Sequence, residues 1–294
     1  LFIDYYRVTN NYDKGDEIMA NQPENPIDLI EIFSTFANDW SMQNQGCAGT
    51  LFLFPHDDSQ QGLEVSSDFS AVYDAPVEQT KTLSPSSFTF QNTSNDFTNQ
   101  QILVNTTTPI SESWELTQTV CPGGNDFFTI TTPALINVPG IPSPDTIQIC
   151  DHEKVMHSHT YTWDINQMIR LLPRSSTKVT FQTTLKEVTR NFQFVYWVTG
   201  NIGVTSMKSI NRATENYFPV TQVLQWYQSD LITLDFEFNK VTCLNKGVYT
   251  AAYQTQPQLL VQTTNLDNPT IVEEYVLDIN TGTTTPVSKP NGCC

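Results

Sequence analysis

Most of the chain alternates between hydrophobic and polar residues, which is the pattern of a strand with one buried face and one hydrated face. The segments that alternate in this way are 86–120, 161–163, 178–185, 192–198, 231–238, 248–252 and 259–264. Asn245-Lys246-Gly247 and Asn280-Thr281-Gly282 carry turn signals within the last part of the chain. The pattern predicts long, twisted antiparallel strands.

One segment near the start has helical periodicity instead. The apolar residues that recur at spacings of three and four are Ile27, Ile30, Phe33, Phe36, Ala37 and Trp40. Because these spacings place the residues on one face, we predict a helix that packs this stripe onto a sheet. Pro26 suits the first helical position. Segment 220–229 fits a helix and a strand about equally, since Val, Thr, Trp and Tyr favour strands.

Composition agrees with a hydrated sheet. Charged residues make up only 15% of the chain, so its solubility depends on abundant Thr, Asn, Gln and Ser. The net charge of -17 excludes a nucleic-acid partner, because phosphate binding needs a basic surface. The same charge disfavours an anionic lipid surface. No stretch approaches the ~18 uninterrupted apolar residues that a spanning helix requires.

Several features predict secretion. The sequence begins with Leu1 rather than Met, which is expected after removal of a signal peptide. Glycosylation sequons begin at Asn92 and Asn105. The six cysteines are Cys47, Cys121, Cys150, Cys243, Cys293 and Cys294. They form no CxxC pair, and we expect an oxidising compartment. We predict a Cys121–Cys150 disulfide, with Cys47 and Cys243 bonded to the terminal pair; a free or interchain cysteine is the alternative.

Three segments resemble the aerolysin-like β-pore-forming superfamily, particularly its epsilon-toxin and mosquitocidal-toxin branch. The first contains FTFQNTS at 88–94 and SESWELT at 111–117. The second contains LPRSSTKVTF at 172–181, NFQF at 191–194 and VTG at 198–200. The third contains NKGVYTAAY at 245–253 and LLV at 259–261. The order and spacing of these segments are similar to the family over roughly residues 88–261.

The resemblance implies a mainly β, elongated molecule with long antiparallel strands, a β-sandwich end and a small α-containing head. We therefore expect an N-terminal head at 1–85, a central long-strand region at 86–200 and a C-terminal β-sandwich region at 201–294. The resemblance further implies secretion as a soluble monomer and assembly of a homo-oligomer. Its expected partners are other copies of itself and a cell-surface receptor, glycan or lipid, with no cofactor.

The resemblance also places a membrane-insertion hairpin at 121–150, between the first two matched strands. The apolar residues expected to face lipid are Phe128, Ile130, Ala134, Ile136 and Val138. This alternation has the ~9–11 residue length of a lipid-facing strand. Prolines at 133, 139, 142 and 144 oppose insertion because each removes a backbone donor. The alternative is an ordered segment folded against the sheet.

Few residues suggest further chemistry. His152, His157 and His159 lie close in sequence; we consider a pH sensor, a metal pair without a clear third ligand, and solvated histidines. Asp235 and Glu237 are expected on the wet face of a strand. Four aromatic residues of the expected head are candidates for contact with sugars or lipid headgroups: Tyr5, Tyr6, Tyr12 and Trp40. Core packing is the alternative.

No nucleophile, nucleotide-binding or HExxH motif is present, so we expect neither an enzyme nor a metal site. The sequence therefore predicts an extracellular protein that binds a cell surface and oligomerises into a β-barrel pore in a target membrane. The alternative is a non-lytic structural or binding protein that keeps the same scaffold.

Overall fold

A computed structural model describes residues 26–45, 47–53, 61–66, 70–123, 128–132, 146–149, 154–207, 213–268 and 271–287. Most of these residues form strands, which confirms the prediction of a mainly β protein. The elements are β1 Ile27–Asp28, α1 Leu29–Gln45, β2 Gly49–Phe52, β3 Glu64–Val65, β4 Val72–Tyr73, β5 Val77–Asn92, β6 Thr98–Gln118, β7 Val120–Cys121, β8 Phe128–Thr131, β9 Thr146–Ile149, β10 Lys154–Leu171, β11 Ser175–Thr199, β12 Asn201–Met207, β13 Ala213–Pro219, α2 Val220–Leu224, β14 Ile232–Asp235, β15 Lys240–Asn265, β16 Ile271–Asp278 and β17 Thr284–Pro286.

The two longest strands form the axis of the molecule. β11 has 25 residues and β15 has 26, and they pair antiparallel from Ser175↔Asn265 to Thr199↔Lys240. A strand of this length spans ~80 Å. The register shifts once, between Gln182 and Thr184. The predicted elongated arrangement of long antiparallel strands is therefore confirmed.

Other strands attach to both sides of this pair. β3, β4 and β5 pair with β11, whereas β6, β14 and β16 pair with β15. β10 extends the sheet beyond β6. β5 continues through residue 85, where the sequence places a domain boundary. The predicted boundaries at 85 and 200 stay predictions.

One end of the molecule is a β-sandwich. β6 pairs with β15 only as far as Ser111↔Ala252. Beyond that point β6 and β10 pack face to face over the sheet of β11, β15 and β16. The buried residues between the two layers are Ile102, Val104, Ile165, Ile169, Leu171, Val179, Phe181, Leu259, Val261 and Leu277. The side chains that fill this core come from strands between residues 98 and 278.

The opposite end, which we call the head, contains both described helices. Helix α1 packs on β2 and β12, and the small sheet here has the order β13-β12-β2. The α1 side chains Leu29 and Phe33 belong to a core shared with β6, β11 and β15. Neither helix among the described residues is long and apolar enough to cross a membrane.

Three predictions of local structure differ from the fold. The strand predicted to continue through Phe238 is wrong, because β14 ends at Asp235, whose carboxylate accepts from the backbone N–H groups of Glu237 and Phe238 and closes a turn. Helix α1 begins at Leu29 instead of Pro26, because the Asp28 carboxylate accepts hydrogen bonds from the backbone N–H groups of Ile30 and Glu31. Asn245-Lys246-Gly247 lies inside β15 and forms no turn. Gly247 is needed there because a Cβ would lie 2.3 Å from the Phe192 ring. The turn predicted at Asn280-Thr281-Gly282 is present, with Gly282 at φ 68°.

Asn92 closes the sandwich end and provides a test of the fold. Its side chain is only 5% exposed and its amide donates to the backbone oxygens of Asp96 and Leu172, at 2.8 and 2.9 Å. Asn92→Ala removes both donors, so we expect a loss of about 2 kcal/mol in the free energy of unfolding. Urea denaturation measures this loss.

Asn105→Ala is the matched control, because Asn105 is an exposed asparagine at the same end of the molecule. Its effect should stay within ~0.5 kcal/mol of zero. Equal midpoints for the two variants would contradict the role assigned to Asn92.

Candidate membrane-insertion element

The segment 119–153 connects two strands that are already paired along their whole shared length. β6 and β10 pair antiparallel from Thr98↔Leu171 to Glu115↔Lys154 without a register shift. β6 is rich in Thr, Ser, Asn and Gln. The connecting segment therefore leaves and rejoins a hydroxyl-rich antiparallel ribbon near the head.

The described part of this segment is a small antiparallel ribbon of β8 and β9, which pair from Phe128↔Ile149 to Thr131↔Thr146. Its apolar face is buried in the head core and consists of Phe128, Ile130, Ile147 and Ile149. The Phe128 ring lies 5.1 Å from that of Phe194 and 5.4 Å from that of Tyr196, centroid to centroid. In this conformation the described part of the segment is folded against the sheet.

A short stretch of chain from residue 70 to residue 74, which we call the strap, binds β8 to the edge of β11. The Tyr73 hydroxyl donates to the backbone oxygen of Thr131 at 2.9 Å, and the backbone N–H of Ala71 donates to Thr131 Oγ1 at 3.2 Å. Asp74 N–H donates to Asn191 O. Burial raises the pKa of Tyr73 to about 12, so its hydroxyl stays protonated at neutral pH and remains a hydrogen-bond donor.

Val120, at the start of the segment, is held by two buried side chains. Asn245 Oδ1 accepts from the Val120 backbone N–H at 2.9 Å, and the Tyr196 hydroxyl donates to the Val120 carbonyl at 2.9 Å. Tyr196 and Asn245 have no exposed surface. Because their strands form the central pair, these two hydrogen bonds join the segment to the axis of the molecule.

A buried carboxylate lies where β6 meets β15. Tyr249 donates its hydroxyl to Glu112 Oε1 at 2.7 Å, and Glu112 is only 3% exposed. Burial, together with Glu112, raises the pKa of Tyr249, so the hydroxyl remains a donor. His157 lies opposite Glu112 in the neighbouring strand, with its ring 5.8 Å from that of Trp114. The Glu112–Tyr249 bond therefore holds β6 to β15 inside the core.

The predicted histidine cluster is only partly described. His157 is half-buried against Trp114, His159 is exposed, and His152 lies outside the described residues. In the ranges that the structure covers, no group of three or more His, Cys, Asp or Glu side chains could hold a metal ion. The pH-sensing role stays a prediction.

Other predicted site residues are distributed over both ends. Ala134, Ile136, Val138, Cys150, Cys293 and Cys294 lie outside the described residues. Cys47 and Cys243 are thiols in the structure, and Cys121 ends β7. Because each predicted disulfide has one partner outside the described residues, the pairings stay predictions. Glycosylation also stays a prediction: the Asn105 side chain is exposed, whereas the Asn92 amide is occupied by its hydrogen bonds.

Sequence reasoning missed Tyr73, Tyr196 and Asn245 as determinants of this site. A signal was present for Tyr196, because a hydroxyl inside the apolar run FQFVYWV needs a buried acceptor. Trp40, considered for sugar contact, instead packs its ring 5.0 Å from that of Phe218. Tyr5, Tyr6 and Tyr12 lie outside the described residues.

The reactivity of the Cys243 thiol tests whether the surroundings of Tyr196 are buried. Burial raises the pKa of the Cys243 thiol to about 12, so the thiolate is scarce at pH 8. With tris(2-carboxyethyl)phosphine present to reduce any disulfide of Cys243 or Cys47, we expect iodoacetamide at pH 8 to leave Cys243 unmodified in the folded protein and to alkylate it in urea, as measured by peptide mass spectrometry. Cys47, which is half-buried, should react faster in the folded state. Rapid alkylation of native Cys243 would contradict this burial.

Tyr73→Phe tests the strap. The change removes the hydroxyl that holds Thr131 but keeps the ring, so we expect the amides of 128–132 to exchange with deuterium about five-fold faster. Tyr217→Phe is the control, because the Tyr217 hydroxyl donates to exposed Glu215 away from the strap. Unchanged exchange in Tyr73→Phe would show that the hydroxyl does not hold β8.

Comparison with known proteins gives similarity in structure alone. No protein-family model and no curated protein matches the sequence. A chain of the Cry23Aa1–Cry37Aa1 binary complex is 13% identical, with a TM-score of 0.58; the alignment covers 86% of this chain and 96% of that one. A non-toxic crystal protein from Bacillus thuringiensis is 15% identical, with a TM-score of 0.56 and coverage of 82% and 98%.

A third solved structure is that of Mpp75Aa1.1, a β-pore-forming protein from Brevibacillus laterosporus. It is 14% identical, with a TM-score of 0.52, and the alignment covers 88% of this chain and 95% of that one. Each of the three alignments covers more than four fifths of this chain. The chain therefore shares its fold with these three solved structures, one of which is a β-pore-forming protein.

Proposed function

We propose that this protein is secreted, binds a cell surface and assembles into a homo-oligomeric β-barrel pore, for which each subunit contributes the segment 119–153 as a hairpin. The observation that carries the proposal is the continuous pairing of β6 with β10, joined by a segment whose described apolar side chains are buried in the head. Extension of this ribbon through 119–153 gives a hairpin long enough to span a bilayer.

The composition of the ribbon supports this role. In β6 the buried and exposed positions alternate over much of the strand, and the exposed positions are mainly Thr, Asn and Gln. A barrel wall needs one polar face for a water-filled lumen and one apolar face for lipid. The small hydroxyl-bearing side chains can be hydrated in the soluble protein and can line a lumen in the oligomer.

The contacts of the segment indicate which interactions control its release. Phe128, Ile130, Ile147 and Ile149 exchange the protein core for hydrocarbon on insertion, and such an exchange between two apolar environments has little net cost. The polar contacts are lost without such compensation. The hydrogen bonds of Val120 and Thr131 are therefore the main described restraints on release, each worth about 1 kcal/mol.

The solved structures support the proposal at the level of the fold. Mpp75Aa1.1 is described as a β-pore-forming protein, and the Cry23Aa1 structure is a binary complex. Secretion, a surface receptor and self-assembly are the corresponding proposals for this chain. Its proposed site of action is a target-cell membrane, which is what the family resemblance implies.

A non-lytic binding or structural role is the second candidate. The B. thuringiensis protein with this fold is described as non-toxic, so the fold alone does not establish a pore. Pro133, Pro139, Pro142 and Pro144 lie within the segment that must insert. Every proline removes a hydrogen-bond donor from the barrel ladder, which is costly in hydrocarbon.

Vesicle leakage with electron microscopy of detergent-solubilised material distinguishes the two functions. Rings with dye release support the pore, and monomers or filaments without release support the second candidate.

A reversible covalent link between the strap and β8 tests the proposed movement. Ala71→Cys with Thr131→Cys replaces a contact of 3.2 Å, and non-reducing peptide mapping verifies that the disulfide forms. We expect the oxidised double variant to lose calcein release from phosphatidylcholine–cholesterol vesicles, because β8 can no longer leave the head. Dithiothreitol should restore the release.

Both single variants and the unmodified protein, each with and without dithiothreitol, serve as controls for effects on the native cysteines. They should release dye in both conditions. Full release from the oxidised, cross-linked protein would show that pores form without departure of β8, and would contradict the proposed hairpin.

A further inference from the structure

The ladder between β6 and β10 ends at the head with two opposite charges in register. Glu115 of β6 is the direct partner of Lys154 of β10, and this is the last pair of the ladder. Both side chains are exposed. Among the residues that the structure describes, neither side chain takes part in an ion pair. The soluble protein therefore makes no salt bridge from two opposite charges that its register places side by side.

These two residues are the one pair of opposite charges in register on the polar face of the described ribbon. The polar face consists of the odd-numbered residues of β6 and the even-numbered residues of β10. Its other charged side chains are Asp164 and Arg170, and each of these has an asparagine as its direct partner. The polar face thus carries one matched charge pair, at the end next to the connecting segment.

The polar face of β6 and β10 has the same phase as the exposed face of β8 and β9. In both ribbons an odd-numbered residue of the first strand is the partner of an even-numbered residue of the second, as in Thr129 with Gln148. The opposite face of β8 and β9 is the apolar one, which the proposed hairpin turns toward lipid. Because side chains alternate between the two faces of an extended ribbon, Glu115 and Lys154 then lie on the lumen side of the barrel.

β10 has an edge to which no described strand is hydrogen-bonded, since it pairs with β6 alone. On its other side β6 pairs with β15, where Glu115 is the partner of Val248. A barrel of identical hairpins leaves no edge unpaired, so β6 has to exchange β15 for β10 of a neighbouring copy. The open edge of β10 in each copy therefore meets β6 of the next copy.

Ring symmetry brings Lys154 of one copy close to Glu115 of the next. Copies related by a rotation axis carry the same residue at the same height in the ring. With strands ~4.8 Å apart and tilted by ~35°, the Glu115 of the next copy is displaced by about two residues from the position directly opposite Lys154. A displacement of two residues keeps both side chains on the same face, and such diagonal partners lie within reach of long side chains.

We infer that Lys154 of each copy forms an ion pair with Glu115 of the next copy, so that a ring of alternating charges joins the subunits of the barrel. The inference rests on the proposed pore and deepens it, because it assigns a contact between subunits. Opposite charges in cross-strand positions stabilise a sheet, whereas like charges destabilise it. Since the ring repeats the contact in every copy, a small change in each contact has a large effect on assembly.

Two charge reversals and their mixture test the contact. Glu115→Lys and Lys154→Glu each put like charges in all these positions of the ring, so we expect calcein release from phosphatidylcholine–cholesterol vesicles to fall about ten-fold or more. An equimolar mixture of the two variants should release dye about three-fold or more faster than either variant alone, because alternating copies have opposite charges across every subunit boundary. An ion pair confined to one copy predicts no gain on mixing.

Two further variants serve as controls. Glu115→Lys combined with Lys154→Glu in one chain restores opposite charges throughout the ring, so its release should lie within about two-fold of the unmodified chain. Lys81→Glu reverses an exposed lysine of β5, outside the ribbon, and should leave the release unchanged. Thermal denaturation verifies that every variant folds.

The outcomes separate this contact from the pore itself. Unchanged release by both single reversals, or no gain on mixing them, would overturn the contact between subunits while the pore stands. Absence of release by the unmodified chain would contradict the pore, and the contact with it.

Discussion

The antiparallel pairing of β11 with β15 is the interaction on which the rest of the structure depends. Every strand of the large sheet is hydrogen-bonded to one of these two strands, except β10 and β17, which are bonded through β6 and β16. The pair also supplies the side chains that hold the connecting segment, Tyr196 from β11 and Asn245 from β15. A single ribbon of strands therefore carries the head at one end, the sandwich at the other and the restraints between them.

The connecting segment has an apolar face that is compatible with both the head core and hydrocarbon. Its polar contacts, in contrast, exist only in the folded soluble form. Phe128 and Ile130 are as compatible with hydrocarbon as with the head core, whereas the hydrogen bonds to Val120 and Thr131 belong to the folded soluble form. The free energy that opposes the proposed release is therefore concentrated in a few directed bonds. In the proposed function, this separation lets a stable protein release the hairpin without a large hydrophobic penalty.

The candidate site was only partly predictable because two local patterns have more than one physical solution. Asn245-Lys246-Gly247 has the composition of a turn. However, Asn245 Oδ1 accepts a hydrogen bond from the Val120 backbone N–H, and Gly247 leaves room for the Phe192 ring. Asp235 to Phe238 alternates as a strand does, but the Asp235 carboxylate closes a turn. In both cases the decisive partner is either distant in sequence or a backbone group whose direction depends on the turn itself.

The sequence by itself determined the fold class and the positions of most long strands, because alternation and hydroxyl content are local properties of a strand with one wet face. It also located the helix that packs through Leu29 and Phe33. The tertiary structure alone decided that β6 and β10 leave the sheet to form a sandwich and that Tyr73, Tyr196 and Asn245 hold the connecting segment. These features depend on contacts between residues as far apart in sequence as Val120 and Asn245, and such contacts are fixed only when the strands have chosen their neighbours and register.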